Sequence, residues 1–74
     1  MKEIADKIEE YFLSSGSDGV YDDVIRCVER MLIEKALERC DANQVMAAKM
    51  LGLNRNTIHN KIKKLNIDVQ RFKR

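Results

Sequence analysis

A chain of 74 residues has room for one domain, and a core of that size supplies only about 3–5 kcal/mol by itself. Its composition includes two cysteines, one histidine and no apolar run approaching the ~18 residues of a membrane span, so it gives no support to a disulfide framework, a metal site or a membrane segment. The net charge of +2 hides an uneven spread: residues 1–42 carry six basic and eleven acidic side chains, whereas residues 43–74 carry eight basic ones and only Asp68, a positive end suited to a polyanion.

No proline and no strand-like alternation interrupt the chain, and four segments of helical periodicity follow one another. The first covers about residues 2–13, with Ile4, Ile8, Tyr11 and Phe12 on one face. Ser14-Ser15-Gly16-Ser17-Asp18-Gly19 then reads as a flexible break. The second helix runs from about Val20 to Cys40, with Asp22 and Asp23 at the positive end of its dipole. Its apolar set (Val20, Tyr21, Val24, Ile25, Cys27, Val28, Met31, Leu32, Ile33, Ala36, Leu37, Cys40) is wider than one core-facing side requires. Either a second subunit or the first helix must cover the excess, and the width favours a dimer. Cys27 and Cys40, thirteen positions apart on this helix, lie roughly 20 Å from one another. They are expected as reduced, small apolar residues, in keeping with a reducing cytoplasm.

Asp41-Ala42-Asn43 breaks the second helix, and Asn43 can cap a short third one over Gln44–Leu51, which Gly52 ends. Ala48, Gly52 and Leu53 supply the small residue, the left-handed turn and the apolar plug of a close helical corner. Asn54 can cap a fourth helix, residues 55–65, whose inward edge is Ile58, Ile62 and Leu65. Asn56, Asn60 and Lys63 fall on the opposite edge, flanked by His59 and Lys64, and no acid occurs between Gln44 and Ile67. Asn66 suits a left-handed C-terminal position, and residues 69–74 are expected as a mobile tail.

An acid-free helix bearing arginine, asparagine, histidine and lysine fits the major groove of duplex DNA. Arg55 is the first candidate for reading a base edge, followed by Asn54, His59 and Asn60; Thr57, Lys61, Lys63 and Lys64 suit phosphates, as does Asn43 at the third helix's N-terminus. Other roles remain open for some of them: Asn54 as a cap alone, Lys61 as a stem covering apolar surface. A helical protein-interaction module with an acidic partner is the rival reading from another class. RNA is less suited, because Phe72 is the only aromatic of the basic half. No nucleophile–base pair, metal set or facing carboxylates point to an enzyme, and no cofactor is expected.

Val28-Glu29-Arg30-Met31-Leu32-Ile33, Ala36-Leu37, Asn43-Gln44, Ala47-Ala48, Leu51-Gly52-Leu53-Asn54-Arg55-Asn56-Thr57-Ile58 and Lys61-Ile62-Lys63-Lys64-Leu65 together resemble the Fis-type helix-turn-helix family. That family holds Fis-like nucleoid proteins and the C-terminal domains of NtrC-type response regulators, which act with sigma-54 RNA polymerase. The resemblance implies an all-α, four-helix domain, dimeric through its two N-terminal helices. Residues 1–19 would then be an N-terminal helix and linker within the dimerisation region, and residues 20–74 the DNA-binding domain. Ile4, Ile8, Val24, Val28 and Met31 are the interface candidates. The resemblance also places Asn54 and Arg55 at base-contacting positions, and Asn43, Thr57 and Lys61 at backbone-contacting ones. An NtrC-type activator would carry receiver and ATPase domains elsewhere, since this chain has no glycine-rich phosphate loop; a stand-alone Fis-like, DNA-bending protein is the alternative. Ala42 and Asn66 stand where glycine is common in the family, and His59 and Asn60 where Fis is more basic.

Overall fold

The structure, a computed structural model, describes residues 2–15 and 19–73. The centre of the expected Ser/Gly break, residues 16–18, and the two chain ends lie outside the described residues. Four α-helices follow in order, α1 (Lys2–Ser15), α2 (Val20–Arg39), α3 (Gln44–Leu51) and α4 (Arg55–Lys64), and a 3-10 turn (Val69–Phe72) closes the chain. The fold is all-α, as expected; among the described residues there is no strand.

Capping sets the boundaries. α1 continues two residues beyond its last apolar position. α2 ends one residue early because Cys40 leaves helical geometry while its N–H still reaches the carbonyls of Ala36 and Leu37. α4 likewise hands over to Leu65, whose N–H bonds back to the Lys61 carbonyl at 2.9 Å, and the Asn66 N–H then reaches the Lys63 carbonyl at 3.2 Å. Between α2 and α3 the backbone passes through two positive-φ residues, Asp41 (50°) and Ala42 (69°). This left-handed step lets the Ala42 N–H bond to the Leu37 carbonyl at 2.9 Å, satisfying an orphan helix end.

The core is the meeting place of α2, α3 and α4. Leu37, Ala47 and Ile58 are fully buried, joined by Ile33, Ala36, Ala48, Ile62, Leu65 and Ile67. Ala36, Ala47 and Ala48 are small where the three helices converge, so the backbones come close and Leu37 and Ile58 fill the remaining space. Burying one such large apolar side chain is worth about 1.5–3 kcal/mol.

The chain's C-terminal segment departs from the expectation of a mobile tail. Val69 and Phe72 are half-buried and pack against the core. In a 3-10 turn, residues three apart eclipse one another, so these two apolar side chains share one face. Asp68 caps the turn by accepting from the Gln70 N–H at 3.1 Å.

α1 lies on α2 without closing over it. Ile8 and Tyr11 are half-buried, while Ile4, Phe12 and Leu13 remain exposed. The Cys27 thiol of α2 is the main cause that raises the Tyr11 phenol of α1 above its ordinary pKa. Both cysteines are free thiols, Cys27 half-buried and Cys40 buried. Among the described residues no helix is long and apolar enough to cross a membrane.

Candidate nucleic-acid interface

The α3–turn–α4 corner follows from backbone chemistry. Gly52 sits at φ 73°, its N–H bonds to Lys49 at 3.2 Å, and the Leu53 N–H reaches Ala48 at 2.8 Å. This double closure satisfies the carbonyl end of α3 and turns the chain sharply. Asn43 caps α3 by accepting from the Met46 N–H at 3.1 Å, and Asn54 caps α4 by accepting from the Asn56 N–H at 2.8 Å. Both asparagines therefore have a side-chain oxygen committed to a cap, while each amide nitrogen remains chemically able to donate.

α4 is oriented by its inward edge, with Ile58 at 0% exposure, Ile62 at 6% and the capping Leu65 at 4%. Pinning that edge turns Arg55, Asn56, His59, Asn60, Lys63 and Lys64 outward, all exposed. The base-edge candidates Asn54, Arg55, His59 and Asn60 thus all lie exposed, at the cap of α4 or within its first six residues. Asn43 joins them across a shallow hollow that it lines with Gln44, Val45, Arg55, Asn56 and His59. Gln44, which sequence reasoning gave no role, bridges α3 and α4 through its Oε1 and the His59 Nδ1 at 3.3 Å. Its helical position alone gives no hint of that contact, because the partner lies on the next helix.

Among the phosphate candidates, Lys63 and Lys64 are exposed, and Thr57 and Lys61 are half-buried. Lys61 forms an ion pair with Glu29 of α2. A second polar tie fastens the end of the same helix: Arg30 of α2 donates to the Leu65 carbonyl. Arg30 also pairs with Glu34 at 3.8 Å, and Glu34 with Arg71 at 3.6 Å. Arg71, whose guanidinium stands 5.0 Å over the Phe72 ring, therefore anchors the 3-10 turn to α2. Arg30 and Glu34 stand at the local i,i+4 spacing, but only the fold brings Glu29 and Arg30 to α4 and Glu34 to the tail.

The dimer-interface candidates fall on α1 and α2. Ile8, Val24 and Val28 are half-buried, and Ile4 and Met31 are exposed. Phe12, Tyr21, Ile25 and Leu32 are further exposed apolar residues on the same two helices.

The corner and its outward helix define a helix-turn-helix domain. The family model for bacterial regulatory proteins of the Fis family matches residues 24–65, and the chain belongs to that family. It is 53% identical over 55 residues to the DNA-binding transcriptional regulator NtrC of Azospirillum brasilense, covering 74% of this chain and 11% of that protein. Over 75 aligned positions it is 40% identical to the NtrC regulator of Rhizobium meliloti, covering 96% of this chain and 16% of that protein. It is also 44% identical over 62 residues to a Fis-like DNA-binding protein of Neisseria meningitidis, covering 80% of this chain and 78% of that one. The chain thus spans a small fraction of the NtrC regulators and most of the Fis-like protein. No solved structure matches it significantly.

Proposed function

We propose that the chain binds double-stranded DNA as a homodimer, with α4 in the major groove, and serves transcription regulation of the NtrC type. The observation that carries this reading is the outward edge of α4: exposed Arg55, Asn56, His59, Asn60, Lys63 and Lys64 on a helix without an acid, held by Ile58 and Ile62. Family membership and the DNA-binding relatives support it. Arg55 reads a guanine through its two parallel donors, with Asn54, His59 and Asn60 at neighbouring base edges. Asn43, Thr57, Lys61, Lys63 and Lys64 take phosphates and fix the register.

The dimer joins α1 and α2 of each copy through Ile4, Ile8, Val24, Val28 and Met31, with residues 1–19 completing the dimerisation region. It presents two recognition helices about one helical turn, roughly 34 Å, apart. In the longer regulator this reading implies, receiver and ATPase domains precede the module and sigma-54 RNA polymerase is the eventual target. Coverage of most of the Neisseria protein supports a second reading, a stand-alone Fis-like DNA-binding protein.

Titration of a mixed duplex pool across salt concentrations tests the shared part of both readings. The logarithm of affinity should fall linearly with the logarithm of salt, by about 0.9 per phosphate neutralised. Arg55→Ala should cost about 1–3 kcal/mol and relax preference at one base position, and Lys63→Ala should weaken all sequences alike. Salt-insensitive binding, or an unchanged sequence preference in Arg55→Ala, would refute the assignment.

A further inference from the structure

Lys61 differs from the other cations of the recognition helix. Arg55, Lys63 and Lys64 are exposed, whereas Lys61 is half-buried and, among the described residues, is the one cation of α4 engaged in an ion pair. Its partner Glu29 lies 32 positions away on α2. The two side chains are 34% and 31% exposed, so the pair is shielded on the α2 side and still open to solvent. Asp22, Arg26 and Lys64 line the same cleft between α2 and α4.

A lysine in that setting has two possible anionic partners, the protein's own carboxylate and a phosphate of the duplex. We propose that Glu29 competes with DNA phosphate for Lys61 and thereby attenuates the affinity of the module for every duplex. The inference rests on the DNA-binding reading above and deepens it by assigning a role to a residue outside the recognition helix.

The physical basis is simple. Each phosphate contact made by Lys61 requires its release from Glu29, and the cost of that release is subtracted from the contact. The competition acts on the backbone contribution alone, because Lys61 lies beside the inward edge of α4 and away from the first turn, where base edges are read. Attenuation should therefore be independent of sequence. The module would keep its discrimination between sites while spending less time on non-specific DNA.

The test is a set of four proteins, the unaltered chain, Glu29→Gln, Lys61→Ala and the double variant, titrated with a specific and a mixed duplex over a range of salt. Glu29→Gln should bind both duplexes about two- to tenfold more tightly, with a salt slope steeper by up to about 0.9. In the Lys61→Ala background the same substitution should give no gain. No gain in the single variant overturns the proposal, as does a gain that persists without Lys61, which would mark distant charge repulsion.

The side-chain ammonium signal of Lys61, followed by nitrogen-resolved NMR in the unaltered chain, gives a reading that needs no variant to fold. It should move when DNA is added. A Lys61 signal that stays fixed at saturation, while those of Lys63 and Lys64 move, overturns the proposal. If the unaltered chain binds no duplex, the DNA reading fails and this proposal with it; if it binds and Glu29→Gln gains nothing, the proposal alone fails.

Discussion

Gly52 holds φ 73° at the corner before α4, and a Cβ built there meets no atom within 4 Å. The cost of Gly52→Ala is therefore confined to the backbone, about 1–2 kcal/mol, read as a lower denaturant midpoint with an unchanged slope. Ala42 and Asn66 occupy the same left-handed region, at φ 69° and 55°, without being glycine. Asn66 is exposed, so Asn66→Gly should be neutral or stabilising by a few tenths of a kcal/mol to about 1 kcal/mol. Ala42 is 8% exposed. Ala42→Gly trades relief of strain against loss of a buried methyl worth about 0.8 kcal/mol, and its melting point should stay close to that of the unaltered chain. Gly52 and Asn66 were legible in the sequence because their residue types favour this conformation. Ala42 was marked only by the glycine common at its place in the family, since alanine itself gives no sign of a left-handed backbone, and its geometry follows from the Leu37 carbonyl it must satisfy.

At the scale of elements, α3 and α4 were legible almost to the residue. Their asparagine caps, their glycine stop and the Ile58/Ile62 spacing are local signals that the core reinforces. Ile58 carries the most at this level. Ile58→Ala should cost about 2–5 kcal/mol, comparable with everything the domain is expected to have, and thermal melting should find this variant largely unfolded. The 3-10 turn was illegible for the opposite reason: four residues are too short for periodicity, and their order depends on a surface supplied by the core helices and on Glu34. Phe72→Ala removes a half-buried ring and a cation–π contact, and should lower stability by about 1–3 kcal/mol without changing base preference. The ties from α2 to α4 were illegible too. An ion pair between residues 29 and 61 cannot be inferred from spacing along either helix.

For the molecule as a whole, the decisive features are the charge gradient and the apolar surface left on α1 and α2. The gradient was readable as a count, and the excess apolar width of α2 as a reason for a partner. The single chain leaves Met31 59% exposed, so Met31→Asp is compatible with a folded protomer, yet it places a charge in the proposed dimer interface. Sedimentation should show this variant as a monomer, with DNA affinity reduced well beyond tenfold through loss of the second binding unit. For the unaltered chain, the melting temperature should rise with protein concentration. A Met31→Asp chain that still sediments as a dimer would exclude this interface.

α2 spans 20 residues, a rod of about 30 Å. Uncovered apolar positions run from Tyr21 and Ile25 near its start to Met31 and Leu32 past its middle, and its far end supplies Ile33, Ala36 and Leu37 to the core that seats α4. In the proposed assembly this rod is a ruler with a fixed phase. A single inserted residue would twist one half against the other by about 100° and so swing the two reading heads out of step with the pitch of the double helix. Evolution of new operators is thereby channelled into the outward edge of α4, where residues can change without altering the spacing of the frame.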